Sequence, residues 1–351
     1  MQCFACQAVL THEDIQSPEF RFGVSCPHCY RTPEAASLEE MAERQRKLAE
    51  VAAEQAGCTP YDNRRLLHVP RREAGRSLID FLCVYHPPTP REQWLAWIED
   101  GSLTSQDSKV DPLMTVRDGQ QFSHVQIGVV EPPTAHDIEI VYQDASLIVI
   151  NKPAPLPVHP CGRFNRNTLL SFLSEVYRPE KLRTAHRLDA DTTGLVIFCR
   201  NFASAREVQP QFTHRQVDKL YLLRVSGEVT SAAFTCIAPI SDHADRDGLR
   251  SIDEEGREAE TRFRLLKRFS DGTSLLSAEP ITGRTNQIRL HAAAMGLPII
   301  GDKSYGDALC TGGKYERYPL CLHAWKLGFR HPATHEHRTF EATPPAWATE
   351  E

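Results

Sequence analysis

The sequence predicts an α+β fold on a mainly antiparallel mixed sheet. Strand-length apolar runs such as Leu147-Ile148-Val149-Ile150 and Leu195-Val196-Ile197-Phe198 recur, helical patterns fall between them at irregular intervals, and few segments alternate as βαβ units. At 351 residues, with 41% hydrophobic and 25% charged residues, the chain has room for two or three domains and an enzyme-sized core. No 18-residue apolar run occurs, and Met1 to Leu10 lacks a basic start. Neither a membrane span nor a secretory signal is therefore expected, and the location expected is cytoplasmic. The 11 cysteines are odd in number and scattered, which suits a reducing compartment better than a disulfide framework.

Residues 1–36 read as a metal module. Cys3-x-x-Cys6 and Cys26-x-x-Cys29 have the paired spacing of a four-thiolate zinc site, and the few apolar residues around them are too few to fold without a metal. A structural zinc is expected there. Residues 37–68 read as helix and linker: Ser37-Leu38-Glu39-Glu40 is a capping box, and no glycine or proline interrupts the run to Gln55. Leu38, Met41, Leu48 and Ala52 make only a narrow apolar stripe, so this helix is expected to be largely exposed and to stop at Gly57. Residues 69–130 form a small α/β unit, with two apolar-patterned helical segments around Leu78 and Trp94 and short strands near Leu103 and Val125. Glu131-Pro132-Pro133-Thr134 is a stiff linker into the last unit, residues 131–351.

That last unit carries the chemistry. Leu147 to Ile150 reads as a buried strand delivering Asn151-Lys152-Pro153, and residues 168–175 as a short helix. Lys219 to Val225 is a strand whose period places Lys219, Tyr221 and Leu223 on one face. Asp242 to Glu258 is polar and turn-rich, and Ile288 to Met295 is a helix capped by Asn286 or Thr285. Between these lies Thr184-Ala-His186-Arg187-Leu-Asp189-Ala-Asp191-Thr-Thr-Gly194, a turn-rich stretch running straight into an apolar strand. A carboxylate at Asp189 would be held on a short loop at the edge of the core, where a nucleophile is useful; a plain turn former is the alternative. His331, His335 and His337 lack the H-E-x-x-H spacing of a zinc enzyme.

Charge limits the partners. The net charge is −6, and its acidic excess lies before residue 137: residues 137–351 hold 27 basic and 27 acidic side chains. Indiscriminate nucleic-acid binding is not expected from such a balance, although local arginine clusters can hold phosphates.

Several motifs together resemble the RluA-type pseudouridine synthases. His186-Arg187-Leu188-Asp189, Thr192-Thr193-Gly194, Asn151-Lys152-Pro153, Val158-His159-Pro160, Lys219-x-Tyr221, Thr282-Gly283-Arg284-Thr285-Asn286-Gln287-Ile288-Arg289-Leu290-His291 and Gly301-Asp302 follow that family's pattern in order. Two positions depart from it: Thr193 where serine is usual, and Asn286 where histidine is commoner. The resemblance implies a mixed sheet bent around a catalytic cleft. It also makes residues 69–130 similar to the S-four-like RNA-binding domain that precedes many such enzymes.

By the same resemblance the activity is isomerisation of a specific uridine in an rRNA or tRNA stem-loop, by a monomer, without a catalytic cofactor. Asp189 would be the nucleophile, with Tyr221 stacked on the uracil. Arg289, or failing it Arg284, would pair with Asp189 and lower its pKa. Arg187, Arg284 and His186 would contact substrate, and Ile288 and Leu290 would close the pocket floor. A catalytically silent RNA-binding or ribosome-assembly protein is the alternative, and the presence of both Asp189 and Tyr221 speaks against it. A zinc base deaminase would need an H-x-E, and none occurs.

Overall fold

The computed structural model describes residues 3, 10–18, 20, 27, 35–227, 229–245, 249–306, 308–312, 316 and 318–349. Cys6, Cys26 and Cys29 lie outside these. Cys3 is buried with Leu10 and Ala203, and among the described residues no group of three or more His, Cys, Asp or Glu side chains is placed to hold a metal. Two compact units form: residues 56–132, and residues 1–55 together with 133–351.

A short α1 (His12–Gln16), closed by a Thr11 capping box, precedes α2 (Leu38–Glu54), which starts on the expected Ser37–Glu40 box. The helix ends earlier than Gly57, with Gln55 in the left-handed conformation at φ 45°. It is largely exposed, as expected: 11 of its 17 residues are exposed, and only Leu48 and Ala52 are fully buried. Leu38, the first residue of the expected stripe, is the exposed one. Gln45 clamps the helix to the next unit of sheet, donating to the Ile138 carbonyl at 2.7 Å and accepting from the Ile140 amide at 2.8 Å.

In the smaller unit, β1 (Tyr61–His68), α3 (Leu78–Tyr85), α4 (Arg91–Glu99), β2 (Leu103–Ser105), β3 (Ser108–Lys109) and β4 (Gln121–Val129) follow one another. The sheet order is β1-β4-β2-β3. The unit therefore starts before residue 69, because residues 61–68 pair antiparallel with the last strand of the unit and cannot serve as a linker. Leu78, Phe81, Leu82, Trp94, Leu103 and Phe122 fill its core.

The larger unit is built on β5 (Glu139–Gln143), β6 (Leu147–Lys152), α5 (Leu169–Val176), β7 (Arg183–Thr184), β8 (Thr193–Cys199), α6 (Phe202–Thr213), β9 (Asp218–Ser226), β10 (Ala233–Cys236), β11 (Thr261–Arg268), β12 (Thr273–Pro280), α7 (Gln287–Ala294), β13 (Leu322–Arg330) and β14 (His337–Glu341). The main path of the sheet runs β10-β11-β12-β9-β13-β8-β6-β5, with β14 on β13 and β7 on β8. Only the β13–β8 pair is parallel among the pairings described, which makes the sheet mixed and mainly antiparallel. Leu169, Phe172, Leu173, Val196 and Phe198 join Leu48 and Ala52 in one core, and Leu195, Ile197, Val208 and Phe329 form another. The histidines near the end of the chain are anchors: His331 is buried against Asp144 at 2.9 Å, and His337 meets Asp218 at 2.9 Å.

Candidate active site

The chain crosses three adjacent strands, β9, β13 and β8, to assemble the site. Tyr221 on β9 pairs with Ala324 on β13, and Ala324 pairs with Gly194 at the start of β8. A Cβ on Gly194, which sits at φ 109°, would lie 2.3 Å from the Ala324 carbonyl oxygen. The glycine that ends the Asp189 stretch is thus required for β13 to approach, and that approach sets the loop beside Tyr221.

Lys152 holds the loop from below. Its ammonium is fully buried and donates to the carbonyls of Pro153 (2.9 Å), Leu156 (2.9 Å) and Ala190 (3.0 Å). Burial pulls this lysine down to about 7, while Asp191 and Asp189 push it back up. Three carbonyl acceptors match the three N–H groups of the charged form, and a neutral amine could serve only two. The sequence placed Lys152 in a motif without assigning it a role; it joins the β6 end to the residue that follows Asp189.

Asp189, His186, Arg187, Tyr221, Arg284, Ile288 and Arg289 all line one open cavity of about 600 Å³, together with Lys219, Phe212 and Asn286. Leu290 does not. It points to the other side of α7 and packs with Ile240, Ala259 and Tyr305, because one residue along a helix turns the side chain through about 100°. The cap of α7 also differs from expectation. Asn286 occupies the cap position in left-handed geometry, makes no cap bond, and donates instead to the Tyr305 hydroxyl at 3.0 Å. Gln287 does the anchoring, accepting from Thr282 and the Arg284 amide and donating to the Glu260 carbonyl and Thr261.

Arg289 is 9% exposed and shared unequally between two carboxylates. Its Nε and Nη2 fork onto Asp302 at 2.8 and 2.6 Å, while Nη1 stands 4.0 Å from Asp189 Oδ2. Asp302, 1% exposed, also accepts the amides of Ser304 and Tyr305, and the Tyr305 ring lies 5.2 Å from the guanidinium. Against the pull of burial, these bonds hold Asp302 below the usual carboxylate range. For Asp189 the balance is reversed from expectation: burial raises its pKa, and Arg289, Arg187 and Lys152 only partly offset this. Arg284 does not reach for Asp189 with Nε, which donates to the Glu258 carbonyl at 3.1 Å.

Neither neighbouring ring is a proton acceptor of ordinary strength. Burial, with the Asp189 charge adding, raises the Tyr221 hydroxyl above its usual value. His186 stacks on Phe212 at 4.4 Å, accepts the Ile197 amide through Nε2, and is pulled down to about 3 by burial and by Lys219. His186 is therefore a neutral prop for the loop.

A carboxylate at the rim of a cavity, faced by a restrained guanidinium, suits attack on, or cation stabilisation at, a carbon centre. Known proteins give that chemistry a family. Residues 146–294 match the family described as RNA pseudouridylate synthase. Over 218 residues the chain is 37% identical to the dual-specificity RNA pseudouridine synthase RluA of Pasteurella multocida, covering 62% of this chain and 97% of that protein. It is 33% identical over 237 residues to pseudouridylate synthase RPUSD2 of Mus musculus, covering 67% of this chain and 43% of that protein, so the matched part is less than half of that relative's length. The solved structure of human RNA pseudouridylate synthase domain containing 1 is similar, with a TM-score of 0.52 at 27% identity over 62% of this chain and 87% of that one. The chain belongs to the RNA pseudouridine synthase family and is of the RluA type.

Proposed function

We propose that the protein isomerises a uridine to pseudouridine in a structured rRNA or tRNA stem-loop. The bond between the uracil N1 and the ribose anomeric carbon breaks, the base turns, C5 bonds to the same carbon, and the proton lost from C5 is balanced by one gained at the freed N1. No water or external cofactor is consumed. The observation that carries this reading is the convergence of Asp189, Arg289 and Tyr221 on one cavity wide enough for an extruded nucleotide. Asp189 acts at the anomeric carbon, Tyr221 stacks on the uracil, Ile288 closes the floor, and Arg187 and Arg284 hold phosphates at the rim.

Residues 69–130 are read as an S-four-like RNA-binding unit on their order of two helices followed by strands, with β1 added in front of them in the folded unit. The zinc reading of Cys3, Cys6, Cys26 and Cys29 rests on their paired spacing; one zinc per purified chain supports it, and none rejects it. The test of function is to treat RNA from cells lacking the protein with the purified full chain and map pseudouridine. A discrete new site that Asp189→Asn fails to produce is expected. No gained site in total RNA overturns the proposal.

A further inference from the structure

One charged group on the wall of the catalytic cavity has no task in the site as described. Lys219 lies two residues before Tyr221 on β9, so both side chains leave the same face of the strand, ~6.6 Å apart along it, and both line the cavity. Pairing of β9 with β12 ends at Tyr221 opposite Ala278, which leaves the sheet open beside Lys219. Neighbouring cations are engaged: Arg289 forks onto Asp302, Lys152 donates to three carbonyls, and Arg284 Nε donates to the Glu258 carbonyl. Among the described residues the half-buried Lys219 ammonium has no hydrogen-bond or ion-pair partner. Burial lowers its pKa, the Arg215 charge adds to this, and Glu279 opposes it without forming an ion pair. Glu279 follows Ala278 on β12 and so faces the other side of the sheet, opposite Arg262.

A desolvated ammonium without a carboxylate costs free energy, and it fits a site where negative charge appears only during the reaction. The uracil supplies such charge. When the bond from N1 to the anomeric carbon breaks, its electron pair stays on the base and spreads through the ring onto O2 and O4. When C5 bonds to that carbon the pair is drawn into the new bond, and the proton lost from C5 is balanced by one gained at N1; Lys219 keeps its own proton throughout. Orientation selects the oxygen. With the anomeric carbon at Asp189 and the ring stacked on Tyr221, N1 points toward Asp189 and O4, across the ring, points away. Lys219 stands on that far side: the Asp189 charge acts on the Tyr221 hydroxyl, whereas the charges acting on Lys219 are those of Arg215 and Glu279. A phosphate carries its charge permanently and is better met by the exposed Arg187 at the rim than by a half-buried amine.

We infer that Lys219 is a catalytic residue whose ammonium holds the O4 carbonyl of the extruded uracil and stabilises the negative charge that the base carries while it is detached. This rests on the reading of the cavity as a uridine site. The test uses the full chain and a stem-loop that it isomerises, with single-turnover rates at saturating RNA and dissociation constants across KCl concentrations. Lys219→Met should lower the saturated rate roughly a hundredfold, the loss typical of one oxyanion donor, and Lys219→Arg should recover about tenfold of it. The dissociation constant and its salt slope should stay at the wild-type values in both. A methionine variant with the wild-type rate overturns the inference, as does one that keeps the rate but loses ~0.7 of the log–log salt slope, the mark of a phosphate contact. Equal loss of rate in the two variants with lowered melting temperatures assigns Lys219 to folding and also overturns it. All three outcomes leave the enzyme reading intact. A wild-type chain that forms no pseudouridine on any RNA overturns that reading, and this inference with it.

Discussion

Replacing Asp302 by asparagine tests whether the distance between Arg289 and Asp189 is set on purpose. In the native arrangement Asp302 takes two of the guanidinium's nitrogens and leaves Nη1 4.0 Å from Asp189. The amide can keep the Ser304 and Tyr305 contacts through its oxygen, but its NH2 opposes a guanidinium N–H, so the fork is lost. Arg289, buried and short of a partner, then closes on Asp189. At an effective dielectric of ~20 the attraction is about 4 kcal/mol at the native distance and about 6 kcal/mol at a hydrogen-bond length of ~2.8 Å. The extra ~2 kcal/mol stabilises the carboxylate before attack and fades as its charge is neutralised, which slows the step roughly thirtyfold. Both the lost Asp302 charge and the closer guanidinium lower the Asp189 pKa, so the acid limb of kcat moves to lower pH. Single-turnover rates on saturating stem-loop between pH 4.5 and 8 measure both effects, with melting curves as control. An unchanged rate, or an acid limb displaced to higher pH, refutes the argument.

Asp189→Asn should abolish turnover yet raise the melting temperature at pH 7. The folded pKa of Asp189 is raised, so the folded state holds this proton more tightly than the unfolded chain, and the ionised group destabilises the fold above the folded pKa. The gain of the variant should shrink as the pH falls through the folded pKa and vanish below the unfolded value near ~3.9, and a variant less stable at pH 7 contradicts the burial account. Because Tyr221 keeps its proton, kcat should show no rise between pH 7 and 9; a rise of unit slope there would make the phenolate a catalytic base. Lys152→Met leaves three carbonyls without their donor, at about 1–3 kcal/mol each. A loss of ~3 kcal/mol or more in denaturant unfolding should accompany weakened catalysis, whereas a change under ~1 kcal/mol would remove Lys152 as the anchor of the loop.

The motif residues and the class of sheet were legible in the sequence, because strand-length apolar runs and fixed short spacings are local signals. The capping box of α2 and the strand into Lys152 were read this way, whereas Asp189, Tyr221 and Arg289 were singled out through the family resemblance that the motif spacings carry. Other elements left weaker traces: α6 buries small residues such as Ala203 and Ala205 and contains Pro210, and β12 and β13 lack a clean alternation. The strand at 61–68 was read as linker because its partner lies some sixty residues away. What only the tertiary structure decided is how the site is charged and spaced. Asp302 restrains Arg289 through a turn that begins at Gly301, where a Cβ would lie 2.1 Å from the Pro319 carbonyl oxygen. Leu290 turns away from the cavity, and burial outweighs three nearby cations at Asp189. Sequence spacing fixes which groups are available, but the sign of a pKa shift and a gap of 4.0 Å depend on solvent exclusion and on partners distant along the chain, which exist only once β8, β13 and β9 have packed together.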